Sequence, residues 1–347
     1  MSAVVLLGSA DTRRTIYLQR AAAETGISFT LMDWRKLPEG WPGREAQHQL
    51  FVKIDPPLWG SCRLGELGEL TANYRRALAE LEYFAGQRQT DFLNTPAAIA
   101  ALLDKRTCKH MLKTAGLPVT EMLDGEFKEA GALLEGMKTR GWHQVFIKPV
   151  YGSGAAGVSA LRIRQGGDRM ALYTCAAMDA AQGIVNTKRL RHLEDPGEIL
   201  PLLEEILRLD CIVERWYAKA AYRDCCYDLR AVVQDGHMDY LLARLSKGPI
   251  TNLQLNNRPL DIARLGLADT MPKVLEDICN RAMACFPGLR SAGIDLLLER
   301  DSLRPRIIEM NGQGDLLYQD IFHENRIYRH QAQMMKRWMQ AEDGAVT

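Results

Sequence analysis

The sequence predicts an α/β (α+β) protein that opens with a β-α-β unit. Three observations carry this. A β-branched apolar run, a helical stretch and a second apolar run succeed one another in residues 3–32. Strand-like and helix-like segments go on alternating to the end of the chain. A loop of small residues, Gly152 to Gly157, sits between two strand-like runs. The opening order suits a parallel sheet covered by helices.

Taken in order, residues 3–7 form the first strand, ending at Gly8. Residues 12–24 form a helix closed by Gly26, and residues 27–32 a second strand. Gly8-Ser9-Ala10 lacks the G-x-G-x-x-G fingerprint, so this part reads as structure or substrate wall. Residues 34–68 are rich in Pro, Gly and Trp and are expected to be loop, followed by a helix over 70–85. A boundary lies at Asn94-Thr95-Pro96, where Asn94 or Thr95 can cap a helix whose first turn holds Pro96. That helix carries Ile99, Leu102, Leu103, Met111 and Leu112, and Gly116 and Pro118 stop it. A helix over 126–139 precedes strands at 144–148 and 157–163. A helix at 201–209 and strands at 211–214, 228–233 and 240–245 follow. Then come a helix at 271–285, strands at 292–299 and 306–310, a helix over 321–340, and a polar AEDGAVT tail expected to fray.

Composition removes several functions. Lys and Arg number 44 and Asp and Glu 43, a net charge of +1, which gives no footprint for non-specific nucleic-acid binding but leaves room for a local basic groove. No apolar stretch approaches the roughly 20 residues of a membrane span. The start, MSAVVLLGSADTRR, puts its apolar run ahead of its arginines, the reverse of a signal peptide, so a cytoplasmic location is expected. The eight cysteines form no C-x-x-C pair, and Cys225 and Cys226 are adjacent, so they read as reduced, mostly buried thiols. There is no H-E-x-x-H, no G-x-S-x-G and no Walker-type loop.

Three segments carry chemistry. In FIKPVYGSGAAGV, Lys148 leaves a strand as a compact point charge. Small residues beside it let backbone N–H groups approach phosphate oxygens, although such a loop is also an ordinary turn. In GIDLLLERDSLRPRIIEMNGQGDL, Asp295 lies on one strand and Glu309 and Asn311 share a face of the next. Two carboxylates and an amide oxygen suit Mg²⁺; a plain hairpin with a polar outer face reads the same way. In CIVERWY, an apolar strand ends in Glu214, Arg215 and Trp216, which offers either a nucleotide-base pocket or a buried strand with a polar end. Arg230 and Arg244 lie on successive strands, where each can clamp a phosphate or carboxylate.

In sequence, these segments resemble the ATP-grasp family. NTPAAIAALLDKRTCKHMLKTAGLPVTEM is similar to its entry helix, with a D-K pair ahead of G-[ILV]-P. FIKPVYGSGAAGV resembles the second phosphate lysine and the loop that closes over ATP; CIVERW the adenine hinge; YDLRAVV the D-[IL]-R strand. ARLSKGPITNLQL resembles R-x-x-x-G-x-x-x-N, and AGIDLLLER…IIEMNGQGD the A-G-[IV]-D…E-[VIM]-N magnesium site. The match spans residues 94–320 and is nearest the branch of glutathione synthetase and the glutamate-adding peptide ligases.

The resemblance implies an ATP-grasp fold behind an N-terminal β-α-β domain. Its divisions would be 1–93 as substrate wall, 94–210 with the lid loop, 211–340 with the magnesium site, and 341–347 as tail. It implies that Lys105 and Lys148 contact ATP phosphates and that Gly152, Ser153 and Gly154 form the lid. Glu214, Arg215 and Trp216 would line the adenine pocket, mainly through backbone groups. Asp295, Glu309 and Asn311 would hold Mg²⁺, with Glu309 bridging two ions, and Arg244 and Arg230 would stabilise the transferred phosphoryl group. Asn252 is a weaker candidate for the phosphate. Departures at Asn256-Asn257 and Gly312-Gln313-Gly314 leave substrate identity open, and no ribose carboxylate follows the hinge beyond Asp224. The implied activity is ligation of a small-molecule or peptide carboxylate to an amine through an acyl phosphate, without nucleic-acid or membrane partners. A homodimer is common in the family. A small-molecule kinase and a non-catalytic nucleotide-binding module are the alternatives.

Overall fold

The structure is a computed structural model that describes residues 2–39, 49–58, 62–87, 89–152, 154–164, 169–313 and 325–345. The N-terminal part runs β1 (Ser2–Gly8), α1 (Arg13–Thr25), β2 (Thr30–Asp33), β3 (Gln49–Ile54), α2 (Leu67–Gly86) and β4 (Thr90–Phe92). All its strand pairs are parallel, in the order β2-β1-β3-β4. Thr12 caps α1, its hydroxyl accepting from the Thr15 N–H at 3.2 Å, and Gly26 ends the helix at φ +71°. The stretch 34–68 is not all loop, because β3 lies within it. Its LFV core is buried in the parallel sheet, while Lys53 is hidden by pairing with Asp55.

The middle comprises α3 (Pro96–Leu102), α4 (Lys105–Thr114), α5 (Ala130–Arg140), β5 (Gln144–Pro149), β6 (Ser159–Ile163), β7 (Met170–Asp179), β8 (Gly183–Leu193), α6 (Pro196–Leu207) and β9 (Cys211–Arg215). Its antiparallel sheet runs β8-β7-β6-β5-β9. Two expectations need correcting here. The expected single helix from Pro96 is two helices, broken where Asp104 turns extended and caps α4 by accepting from the Thr107 N–H at 2.9 Å. That break sets Lys105 at the head of α4 and turns it toward the glycine-rich loop. The expected boundary after residue 210 also cuts this sheet, since β9 pairs with β5. Thr95 caps α3, whereas the Asn94 side chain binds Ser291 O and Gly312 O at 2.8 and 2.6 Å.

The C-terminal part contains β10 (Ala221–Tyr222), β11 (Cys225–Gln234), β12 (His237–Ser246), β13 (Arg258–Asp261), α7 (Met271–Ala284), β14 (Ser291–Leu298), β15 (Pro305–Asn311) and α8 (Arg326–Ala345). Its sheet is antiparallel, β13-β12-β11-β14-β15, with β10 added on β11. Strand alternation divides its two faces. Tyr227, Leu229, Ala231 and Val233 enter an apolar core with α7 and α4, while Asp228 and Arg230 point the other way. Farther along that second face, Val232, Tyr240 and Leu242 pack with α8 and the N-terminal sheet. Helix α8 begins at Arg326 and runs to Ala345, into the expected tail; residues 321–324 of the expected helix lie outside the described residues. All eight cysteines are free, and Cys108, Cys175, Cys211, Cys225 and Cys279 are buried. Among the described residues no helix is long and apolar enough to cross a membrane.

Candidate active site

A cleft lies between the middle and C-terminal sheets. Lys148, Glu214 and Arg215 line it from one side, and Arg244, Asp295 and Glu309 from the other, with Asn252 also in its wall. On the middle sheet, Phe146 is registered opposite Glu214 and Lys148 opposite Ile212, so Lys148 and Glu214 are diagonal neighbours on one face. Their ion pair measures 2.9 Å, and Lys109 meets the other oxygen of Glu214 at 2.8 Å. The Thr120 hydroxyl donates to Glu214 at 2.8 Å and also contacts Lys109. Burial would raise the Glu214 carboxyl, but the ammonium groups of Lys109 and Lys148 outweigh it and hold it at about 2. Glu214 is therefore a fully committed buried charge rather than a free group facing a base.

Lys105 donates to Gly152 O at 2.6 Å and stands 3.6 Å from Glu309. The loop it touches has a backbone reason for its second glycine, since L side chains rarely adopt a positive φ. Gly154 sits at φ +66°, and a Cβ there would lie 2.3 Å from Gln254 Oε1. Ser153 lies outside the described residues.

On the C-terminal sheet, register assembles the charges. Arg230 is opposite Asp295, Asp295 opposite Glu309, and Asp228 opposite Arg244. Arg244 forks onto Asp228 at 2.7 and 2.8 Å and reaches Asp295 at 3.0 Å. Arg230 meets Asp295 Oδ1 at 2.9 Å but is not among the residues lining the cleft. Burial would raise Asp228, and Arg244 and Lys219 overcome it, leaving the carboxyl below its ordinary value.

The donors fit a hard cation on one condition. Asp295 and Glu309 are cross-strand partners, and Asp295 Oδ1 is buried without a hydrogen bond, held only by the charge of Arg230. Asn311 lies two residues beyond Glu309 on β15, half-buried, outside the cleft lining. Because two arginines already neutralise Asp295, a divalent ion would need to arrive with anions that engage those guanidiniums. Phosphates are such anions.

The base pocket differs from its sequence reading. Trp216 is not among the residues lining the cleft; it packs on Phe146 at 5.4 Å under the Arg162 guanidinium at 4.7 Å. Both its backbone groups are held by Gln144, at 3.2 and 2.9 Å. The cleft is lined instead by Arg215 and Tyr217, the latter beyond the end of β9, and Phe146 adds a second ring. Sequence reasoning also passed over Lys109, Lys219, Asp228 and Thr251. Lys219 is buried on Thr251 Oγ1 and Pro249 O at 2.8 and 3.0 Å. Lys109 left a signal: Lys105 and Lys109 are four apart on one helix face, a like-charge pair that costs stability unless an anion sits between. Asn257 has a structural task, donating to Ile250 O and Asn252 O at 2.9 Å each. Gln313 ties β15 to the N-terminal sheet, accepting from Tyr74 OH and donating to Ile54 O, each at 2.8 Å. Asp224 is exposed and paired with Lys247 at 3.2 Å.

This architecture is the ATP-grasp fold. The chain is similar to the ATP-grasp ligase PsnB complexed with a minimal precursor, at 17% identity and a TM-score of 0.58 over 97% of this chain and 99% of that one. It is also similar to the macrocyclase MdnC bound with precursor peptide MdnA from Microcystis aeruginosa MRC, at 13% identity and a TM-score of 0.60 over 94% and 98%. A third similar structure is the D-cycloserine synthetase DcsG, at 13% identity and a TM-score of 0.58 over 96% and 99%. No family model and no curated protein matches the chain.

Proposed function

We propose that this protein is an ATP- and Mg²⁺-dependent ligase that joins a carboxylate, most readily one on a peptide, to an amine. The observation that carries the reading is that Lys148, Arg244, Asp295 and Glu309, borne on two different sheets, line one cleft. The peptide preference rests on similar ligases: PsnB is complexed with a precursor peptide and AMPPNP, and with Mg and ADP, and an ATP-grasp ligase from Chryseobacterium gregarium with ADP and a leader and core peptide. The branch of glutathione synthetase and the glutamate-adding ligases, a three-part division of the chain with its second boundary after β9 rather than after residue 210, and a cytoplasmic location belong to the same reading.

In this reading Lys148 and Lys105 hold the triphosphate, and Tyr217 and Phe146 flank the base. The small residues 152–157 close over the phosphates and keep water from the reacting carbonyl. Magnesium, when held by Asp295, Glu309 and Asn311, supplies positive charge to the phosphate oxygens. A substrate carboxylate oxygen bonds to the γ-phosphorus as the β–γ bridge breaks, releasing ADP and leaving an acyl phosphate. The amine nitrogen then attacks the acyl carbon, phosphate departs, and the nitrogen loses a proton to give the amide. Arg244 stabilises the phosphoryl group in both steps, and Arg230 acts through Asp295 as a positioning residue.

The test is ADP release screened against pooled peptides and small carboxylates with amines, with mass spectrometry on each positive pool. A product lighter than its reactants by one water supports the ligase. A stable gain of one phosphate would make it a kinase. Calorimetry showing no magnesium-dependent nucleotide uptake would overturn both.

A further inference from the structure

A second concavity lies apart from the catalytic cleft. It lies on the outer side of β15, encloses about 510 Å³, and has an apolar floor of Leu117, Val119, Ile278 and Pro305. Five charged side chains point into or around that floor besides. Two are occupied: Arg306 is paired with Glu299 at 2.5 Å, and Glu121 accepts from Tyr217 OH at 2.6 Å. The other three, Lys113, Arg281 and Arg304, are exposed cations without an ion pair among the described residues. A chain whose net charge is only +1 thus gathers three unneutralised positive charges on one rim.

We propose that this cleft docks an acidic peptide segment, its apolar side chains on the floor and its carboxylates against Lys113, Arg281 and Arg304. Charge complementarity chooses the occupant, and two further observations narrow it. Among the described residues no aromatic ring lines the cleft, which offers no stacking platform of the kind single-stranded nucleic acid uses. Nor is the sheet edge free to add a strand. The Ile307 N–H donates to Pro118 O at 2.7 Å, and the Thr120 N–H donates to Ile307 O at 3.2 Å, so residues 118–120 already cover β15. Recognition therefore falls to side chains, which the mixed floor and rim provide.

The cleft stands back to back with the catalytic one. Val119 lines the outer cleft, while Thr120 lines the inner one and binds Glu214. Along β15, Arg306 serves the outer cleft and Glu309 the inner. A peptide seated outside would thus lean on the two short segments that also build the nucleotide site.

Docking is tested without catalysis, so its outcome is separate from the fate of the ligase reading. Fluorescence anisotropy is recorded with a labelled peptide of about ten residues alternating Glu and Val, long enough when extended to cross the cleft, and with a Lys/Val counterpart. The expected result is saturable binding of the acidic peptide alone, weakened roughly tenfold or more by K113E/R281E/R304E, about what three rim ion pairs supply. The charge-neutral K113Q/R281Q/R304Q variant should weaken it less and melt close to the wild type, whereas the triple-Glu variant, which puts carboxylates into the last turns of α4 and α7, should melt slightly lower. Ile278→Ala should weaken binding with the charges intact. Equal binding by the triple-Glu variant, equal binding of the Lys/Val peptide, or displacement by inorganic phosphate at the same concentration would each overturn the proposal. So would a concentration-dependent dimer that the triple-Glu variant abolishes, since the occupant would then be a second copy of the chain.

Discussion

Two buried ion clusters face each other across the catalytic cleft, and they are built on different principles. On the middle sheet, one carboxylate, Glu214, is shared by two lysines that come from a helix and a strand. On the C-terminal sheet, Asp228 and Asp295 are shared among Arg230, Arg244 and Lys219, and β-sheet register sets most of the spacing. The lysine cluster depends on long flexible stems brought together by packing; the arginine cluster depends on planar forks already aligned by the backbone. Each nevertheless carries one more cation than anions. That residual charge suits a cleft awaiting a polyanion, and it gives each cluster a different weakness.

The lysine cluster should break first in stability. Glu214→Ala leaves Lys109 and Lys148 buried with no carboxylate between them, and a loss of about 3–5 kcal/mol is expected from the denaturant midpoint. A loss below about 1 kcal/mol would mean that water already shares the site. The arginine cluster should instead break in turnover. Arg244→Lys keeps the charge but removes the fork onto Asp228, and kcat for ADP release should fall about 100-fold with the melting temperature moving much less. Equal losses in turnover from Arg230→Lys would place Arg230 in contact with the reacting groups, contrary to its position behind Asp295.

A third outcome separates the clusters by pH. Glu214 titrates at about 2 when folded against an ordinary 4.5. Its contribution is complete above pH 4.5 and is lost as pH falls toward 2. The stability of the wild type should therefore decline more steeply over that window than that of Glu214→Gln; parallel curves would mean the carboxyl is not held down by its lysines. The smallest effect concerns the base pocket. Tyr217→Ala should raise the KM for ATP by roughly fivefold, about 1 kcal/mol of lost ring contact, while Trp216→Phe should leave it unchanged. The reverse result would restore Trp216 to the cleft.

The legibility of the molecule followed the range of the interactions. Strands with long apolar runs, such as β11, β12 and β14, and the glycine-bounded helix α1 were read within a few residues, because their signals are local. Strand β3 was missed because Lys53 interrupts its apolar run, and only Asp55, two residues on, makes that burial tolerable. The break between α3 and α4 was missed because Asp104 reads equally as a helix-surface residue until its side chain is seen to cap. Trp216 reads as a pocket residue because it follows Glu214 by two, but β9 ends at Arg215, and beyond a strand's end alternation no longer says which way a side chain turns.

Strand geometry along the chain nominated Lys148, Asp295 and Glu309, and the order of the motifs, through its resemblance to the ATP-grasp family, implied the fold and added Lys105. Which side chains meet was decided only in three dimensions. Lys109 finds Glu214 and Arg244 finds Asp228 because burying a charge is costly unless an opposite charge comes with it. For Lys109 and Glu214 that requirement acts across more than a hundred residues, where sequence spacing carries no information.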